Sequence, residues 1–408
     1  MKFKAAKYRT RGTSLDQQSY RRLISGQQKN WLALVLRLLL LPVSWFYGFI
    51  VCLRNFLYDK QWLKAYRIDP SGRPVSGPAS RTVPVISVGN LTVGGTGKTP
   101  LVIWLCNQIT QNSPQDARRK ASCGLWQKFK TKNCGCAILT RGYRATQNYT
   151  DEPAILAKAC PHAKVVVNPD RVAAAAEAVT GFAAKVLVAD DAFQHRRLAR
   201  DLDILTIDAT CPFGYDKMLP AGLLREPLAA LARAHAVVIT RCDQVEHPVV
   251  SKLVQKLKAV NPNLTIATSV HSPVHAESTD NCKIEIPQLT RKRVFAFCGI
   301  GNPDAFLATV KKLGLDCPDY MTFNDHHRYT RQCLNNIYRK AENCGANLLL
   351  TTEKDFTKLA GLLDKQTSEP PLPLAYLAVE LKFLTGLEQL KLLIDRTIEG
   401  KIPASSVL

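Results

Sequence analysis

The stretch 85–100, VISVGNLTVGGTGKTP, limits what this chain can fold into more than any other. An apolar run, 83–88, enters a glycine-rich segment that closes on Gly97-Lys98-Thr99, and the residues after it, 101–111, follow a helical pattern. Strand, glycine loop and helix in that order make a phosphate-binding P-loop. Backbone N–H groups wrap phosphate oxygens only where no Cβ intrudes, which accounts for Gly94, Gly95 and Gly97. On this reading Thr92, Val93, Gly94, Gly95, Thr96, Gly97, Lys98 and Thr99 cradle a nucleoside triphosphate. Lys98 reaches the β/γ-phosphates and the Thr99 hydroxyl holds Mg²⁺. The positive end of the following helix points at the same anion. Thr92 stands where the pattern G-x-x-x-x-G-K-[ST] has its first glycine, and a glycine-rich turn that binds nothing is the plainer alternative.

A P-loop strand needs parallel neighbours. Short apolar runs at 136–140, 164–167, 185–189, 204–207 and 236–239 alternate with helical patterns such as the alanine-rich 170–180. That alternation predicts an α/β fold, a mostly parallel P-loop-type sheet with helices on both faces. The run 185–189 ends at Asp190-Asp191, so a carboxylate emerges at the carboxyl end of a buried strand, where an acid facing the P-loop belongs. Asp190 is the candidate for Mg²⁺. The run 236–239 ends Thr240-Arg241-Cys242-Asp243, similar to a T-K-x-D base-reading motif with Arg for Lys. Asp151-Glu152-Pro153 opens a helix, and acids in a first turn are also ordinary helix-start chemistry.

With 408 residues there is room for two domains. From 271 to 293 the chain turns polar, with Pro273 and Pro287, which reads as a linker. Strand candidates at 294–298, 347–350 and 374–379 and an amphipathic helix at 384–394 then complete a smaller α/β unit. The expected division is a basic tail (1–30), a hydrophobic segment (31–60), a P-loop domain (61–275), and a linker with the smaller C-terminal domain (276–408).

Lys and Arg number 55 against 33 Asp and Glu, a formal charge of +22. Such a surface suits an anionic partner. No nucleic-acid-binding module is recognisable, so lipid is the expected partner and nucleic acid is not; nor does any feature call for an obligate protein partner. The 13 cysteines form no framework, and Cys134-Gly135-Cys136 lacks metal-site spacing, so they read as reduced thiols.

Residues 1–30 hold eight Lys/Arg and one acid, Asp16; the segment 31–58, WLALVLRLLLLPVSWFYGFIVCLRNFLY, follows. Its uncharged core, the sixteen residues 38–53, is about 24 Å long as a helix, short of the ~30 Å of a bilayer core. Trp31, Trp45, Tyr47 and Trp62 with flanking Arg and Lys are interface-seeking residues. These features predict a membrane-embedded or monotopic anchor, with the basic tail drawn to anionic headgroups. A buried core helix is the other reading.

Taken together, the residues resemble one family, the tetraacyldisaccharide 4′-kinases of lipid A biosynthesis. The pieces that carry the resemblance are VGNLTVGGTGKTP (88–100), TRGYR (140–144), DEP (151–153), ADDAFQHRRL (189–198), LPAGLLREPL (219–228), FCGIGNP (297–303), NDHHRYT (324–330) and TTEKD (351–355). Thr92 at the first Walker position is usual in that family, whereas Thr150 and Ala192 depart from its glycines. The resemblance implies ATP as donor and the 4′-hydroxyl of an acylated glucosamine disaccharide 1-phosphate as acceptor, at the cytoplasmic face of the bacterial inner membrane. It further implies Asp151 as general base paired with His326, alongside Lys98. Arg141, Tyr143, Glu152, Asp191, His195, Arg225 and Glu226 are then candidates for holding the lipid substrate. Two other classes remain: a membrane-bound NTPase switch that hydrolyses nucleotide without an acceptor, and a non-catalytic membrane adaptor.

Overall fold

Aliphatic runs of four or five residues buried on both faces are what a parallel sheet between two helix layers requires. The computed structural model describes residues 17–77, 81–111, 135–142, 151–280, 282–325, 327–363 and 370–400. The chain divides into two units, one of Leu34–Val270 with Leu381–Leu408, the other of Met1–Ala33 with His271–Glu380.

The helices α1 (Gln17–Ile24) and α2 (Trp31–Asp59) come first, followed by a two-stranded ribbon, β1 (Arg67–Ile68) and β2 (Pro74–Val75). The P-loop unit then runs β3 (Val85–Gly89), α3 (Lys98–Gln111), β4 (Cys136–Thr140), α4 (Asp151–Ala159), β5 (Lys164–Val167), α5 (Arg171–Phe182) and β6 (Val186–Asp190). It continues with β7 (Leu202–Asp208), β8 (Ala236–Thr240), α6 (His247–Val260) and β9 (Thr265–Ser278). Its strands lie in the order β9-β8-β7-β3-β6-β4-β5, all parallel. The P-loop strand β3 is therefore flanked by β6 and β7. Val88 pairs with Asp190 across β3 and β6, which sets the strand-end acid beside the mouth of the loop.

Alternate residues of each strand supply the two faces of the core. Val186 and Val188 pack with Leu101, Leu105 and Ile109 of α3 and Leu156 of α4. Leu187 and Ala189 pack with Val172, Ala175 and Ala178 of α5, and on the same side Leu205 and Val237 meet Leu253 and Leu257 of α6. At the end of β3 the chain approaches β6's exit so closely that a Cβ on Gly89 would lie 2.6 Å from Phe193 Cβ. Gly89→Ala should therefore lower stability by about 1–3 kcal/mol, as overpacking does, measured as a fall in denaturation midpoint. An unchanged midpoint would mean that this contact relaxes freely.

The second unit contains β10 (Lys283–Glu285), α7 (Ile286–Leu289), β11 (Val294–Cys298), α8 (Pro303–Lys312), β12 (Tyr320–Thr322), α9 (Arg331–Asn343), β13 (Leu348–Thr352), α10 (Glu353–Leu363) and β14 (Leu374–Thr385). Its parallel strands are ordered β12-β11-β13-β14. Phe295 and Phe297 face α9 and α10; Val294, Ala296 and Cys298 face α8.

Two expectations need correction. The polar stretch 271–293 is not a plain linker: it holds the second half of strand β9, its hairpin partner β10 and the short helix α7. Residues 270–275 of β9 show no buried position and Val274 is exposed, so the alternating apolar contrast that marks a strand is weak there. The last helix, α11 (Leu387–Ile398), belongs to the P-loop unit rather than the C-terminal one, because Leu390, Ile394 and Ile398 pack with Leu101 and Val238. The basic tail before Gln17 and residues 112–134, whose polar and basic stretch 112–132 reads in the sequence as a surface insertion, lie outside the described residues.

Candidate active site

The P-loop is tied down from behind by hydroxyls and an amide. Thr96 Oγ1 accepts from Asn90 Nδ2 at 3.0 Å and shares a hydrogen bond with Thr206 Oγ1 at 2.7 Å. Thr240 Oγ1, at the end of β8, donates to the Thr96 carbonyl at 2.9 Å, and Gln194 Nε2 to the Asn90 carbonyl at 2.9 Å. Gly94 and Gly97 take positive φ of 127° and 89°, the backbone freedom a side chain would remove. Gly95 is different: a Cβ there would meet nothing within 4 Å. Its missing side chain leaves open space in front of the loop, which suits the close approach of a phosphate.

In front, the segment 219–226 forms the opposite wall. Val93 N–H donates to the Leu223 carbonyl at 2.8 Å and Arg225 N–H to the Leu91 carbonyl at 2.7 Å, while Thr92 bridges Leu224. This bridge uses the backbone at Thr92, where the usual motif has glycine. Arg225 Nη1 then reaches both carboxylate oxygens of Asp191 at 3.0 Å and Gln194 Oε1 at 3.3 Å. Lys98, the first residue of α3, places Nζ 3.4 Å from Asp191 Oδ1. Asp191 itself sits in the left-handed region, φ 49°, at the turn leaving β6.

The neighbouring acids Asp190 and Asp191 are held in opposite protonation tendencies. Burial pushes Asp190 up, and the charges of Glu152 and Asp191 add to this, to about 7. Burial also raises Asp191, but Lys98 and Arg225 outweigh it and bring its pKa down to about 2. Asp190 Oδ1 is buried and receives no hydrogen bond from the described residues. A carboxylate oxygen left without a donor beside a P-loop is what a cation site needs. Among the described residues no group of three or more His, Cys, Asp or Glu gathers to hold a metal. Mg²⁺ takes one or two protein oxygens and completes its shell with water and phosphate. Asp190 with the Thr99 hydroxyl, one residue into α3, fits such an ion.

Around this centre the other sequence candidates fall as follows. Glu152 lies in the first turn of α4, near enough for its charge to act on Asp190. Arg141 is exposed at the end of β4. Burial and the Arg171 charge lower the His195 pKa, which favours the neutral imidazole; its Nδ1 is buried without a partner among the described residues. Asp151 begins α4, but its side chain, Tyr143 and His326 lie outside the described residues. Glu226, a candidate for holding the substrate, has its fully buried carboxylate paired with Arg54 at 2.9 Å and Arg233 at 2.6 Å. Arg241 also departs from a base-reading role, since its guanidinium is ion-paired with buried Asp208.

Sequence reasoning missed Arg171, whose buried guanidinium holds the Asp190 carbonyl at 2.7 Å, and Gln194, which joins the P-loop to Arg225. A long cation opening an alanine-rich helix was the one signal for Arg171.

The family model described as tetraacyldisaccharide-1-P 4′-kinase matches residues 36–399. The chain belongs to the tetraacyldisaccharide 4′-kinase family. Curated relatives of that name include one from Pelodictyon phaeoclathratiforme, 32% identical over 90% of this chain and 99% of its own length. Another, from Anaeromyxobacter sp., is 39% identical over 68% of this chain and 74% of its own. Among solved structures, LpxK from Aquifex aeolicus in complex with ATP is similar at 29% identity and a TM-score of 0.61, covering 89% of this chain and 99% of that one. The fold is accordingly a kinase fold, and neither the hydrolysis switch nor the adaptor reading is favoured for this family member.

Proposed function

We propose that this kinase transfers the γ-phosphoryl group of ATP to the 4′-hydroxyl of a tetraacylated glucosamine disaccharide 1-phosphate, at the cytoplasmic face of a bacterial inner membrane. The observation that carries the reading is the split acid pair: ionised Asp191 clamping Lys98 and Arg225, beside buried Asp190 with a free oxygen. Phosphoryl transfer asks mainly for positioning and charge neutralisation. Asp191 spaces the two cations that would face the β/γ-phosphates, and the tied P-loop presents its N–H groups to the same oxygens. Mg²⁺, when bound at Asp190 and Thr99, neutralises charge on the phosphates. The 4′-hydroxyl attacks the γ-phosphorus, the bond to the ADP oxygen breaks, and Asp151 takes the hydroxyl proton, with His326 as the second residue proposed for this step. His195, Arg141, Tyr143 and Glu152 are the residues proposed to meet the sugar and its phosphate.

Support for a membrane surface comes from α2, the one helix among the described residues long and apolar enough to cross a membrane. Its outer side chains are exposed: Trp45 is 72% and Phe49 64% accessible.

The direct test is ATP plus the tetraacyldisaccharide 1-phosphate in detergent micelles, followed for a product with a new 4′-phosphate; absence of that product would refute the reading. For the base, Asp151→Ala and His326→Ala should each lower kcat by about 10²-fold or more, with little change in KM for ATP. The double variant should be little worse than the poorer single one. Additive losses would reduce Asp151 to a helix cap.

A further inference from the structure

The polar groups of α2 do not face the same way as its aromatic groups. Ser44, Tyr47, Gly48, Val51 and Asn55 recur at the spacing of one helical face, and Trp45, Phe46, Phe49, Ile50, Leu53 and Phe56 at the spacing of another. The first face is stitched to the P-loop unit. Ser44 Oγ donates to the Met218 carbonyl at 2.7 Å and Tyr47 hydroxyl to the Arg225 carbonyl at 3.1 Å. Arg54 and Asn55 donate to Glu226 at 2.9 and 3.4 Å. A second joint follows one turn on, where Arg196 binds the Asn55 carbonyl at 2.9 Å and Asp59 at 2.6 Å. The second face is bare.

Both joints end on segments that build the phosphate site. Residues 218–226 carry Arg225, whose side chain holds Asp191 and whose backbone holds Leu91. Arg196 follows His195 directly, five residues after Asp191. Glu226 deserves its charge only as a joint: it is fully buried, and a carboxylate there survives because Arg54 and Arg233 both neutralise it. A simple anchor would need neither of the ion pairs that Arg54 and Asp59 make.

We propose that α2 is a strut between a lipid surface and the phosphate site: seating its aromatic face in an anionic membrane braces Arg225 and the acid pair through Arg54–Glu226 and Asp59–Arg196. Arg54 is thus a positioning residue for a reaction it does not touch. This rests on the reading of α2 as a membrane helix. Geometry also favours a helix lying in the interface, because a face hydrogen-bonded to the P-loop unit from Ser44 to Asp59 is unavailable to hydrocarbon.

The test uses the full chain and measures affinity for a fluorescent ATP analogue with and without phosphatidylglycerol-containing vesicles, alongside vesicle flotation. In the wild type, affinity should tighten at least about 5-fold on vesicles. Arg54→Gln should float equally well yet show a change near one, and Arg54→Lys should retain most of it. Tyr47→Phe, which removes only the hydroxyl bonded to Arg225, should lose part of the change and serves where Arg54→Gln does not fold. A wild type that floats with unchanged affinity, or an Arg54→Gln variant with the full change, would overturn the strut while leaving the membrane reading intact. Failure of the wild type to float would overturn the membrane reading itself.

Discussion

Asp190→Asn should melt at a higher temperature than the wild type at pH 8 and lose phosphoryl transfer by about 10³-fold or more. The two effects share one cause. Asp190 is buried, its Oδ1 has no donor, and burial with the Glu152 and Asp191 charges raises its pKa to about 7. In the unfolded chain an Asp titrates near ~3.9. Between these values the folded protein holds a proton that the unfolded chain has released, so stability falls as pH rises through that window, and the full loss persists above it. At ~1.4 kcal/mol per pK unit the penalty is of the order of a few kcal/mol. An amide of the same shape has no charge to bury. At ~2–4 °C per kcal/mol for a domain of this size, Asp190→Asn should gain several degrees at pH 8 and nothing near pH 4, where the wild-type carboxyl is already protonated. The carboxylate persists because the reaction uses it: only the charged form can meet a cation beside the triphosphate. A variant that melts with the wild type at pH 8 would show that Asp190 carries no buried charge, and the cation assignment would fall with it.

What the sequence revealed depended on whether the relevant interaction was local. Strands buried on both faces read as plain apolar runs, so β4 and β11 were expected at their observed bounds. Strand β7 is longer than its apolar run of 204–207, because Asp203 lies within it, buried and paired with Arg200. The P-loop was legible because glycine is demanded by backbone geometry that no side chain elsewhere can supply. Pairings across the fold were not legible. Arg225 and Glu226 are adjacent candidates for holding the substrate, yet the bend in which they lie gives them different partners. One therefore meets Asp191 in the site and the other meets Arg54 on α2, more than a hundred residues away in sequence. The same blindness hid the inner face of α2: its apolar length announces a membrane helix, whereas Ser44 and Asn55 gain meaning only from the carbonyl and carboxylate they reach.

Lys98→Ala should abolish kinase activity, by about 10³-fold or more in kcat, and leave the fold nearly untouched. Lys98 Nζ stands 3.4 Å from Asp191, which also binds Arg225 through both oxygens. Removing the ammonium therefore leaves Asp191 paired and ionised, so no buried charge is stranded and the melting temperature should move by no more than ~2 °C. The reaction has no such spare partner. Charge that builds on the β/γ-bridging oxygen as the bond breaks has Lys98 as its mobile cation at the mouth of α3, while Arg225 is held by two acceptors of its own. The loss should consequently fall on kcat more than on KM for ATP, the pattern of an interaction strengthened in the transition state. Lys98→Arg should not rescue it, since a planar guanidinium cannot replace a compact ammonium in a loop closed by Gly97. Near-normal turnover in Lys98→Ala would remove the P-loop from the reaction and require the phosphates to lie elsewhere.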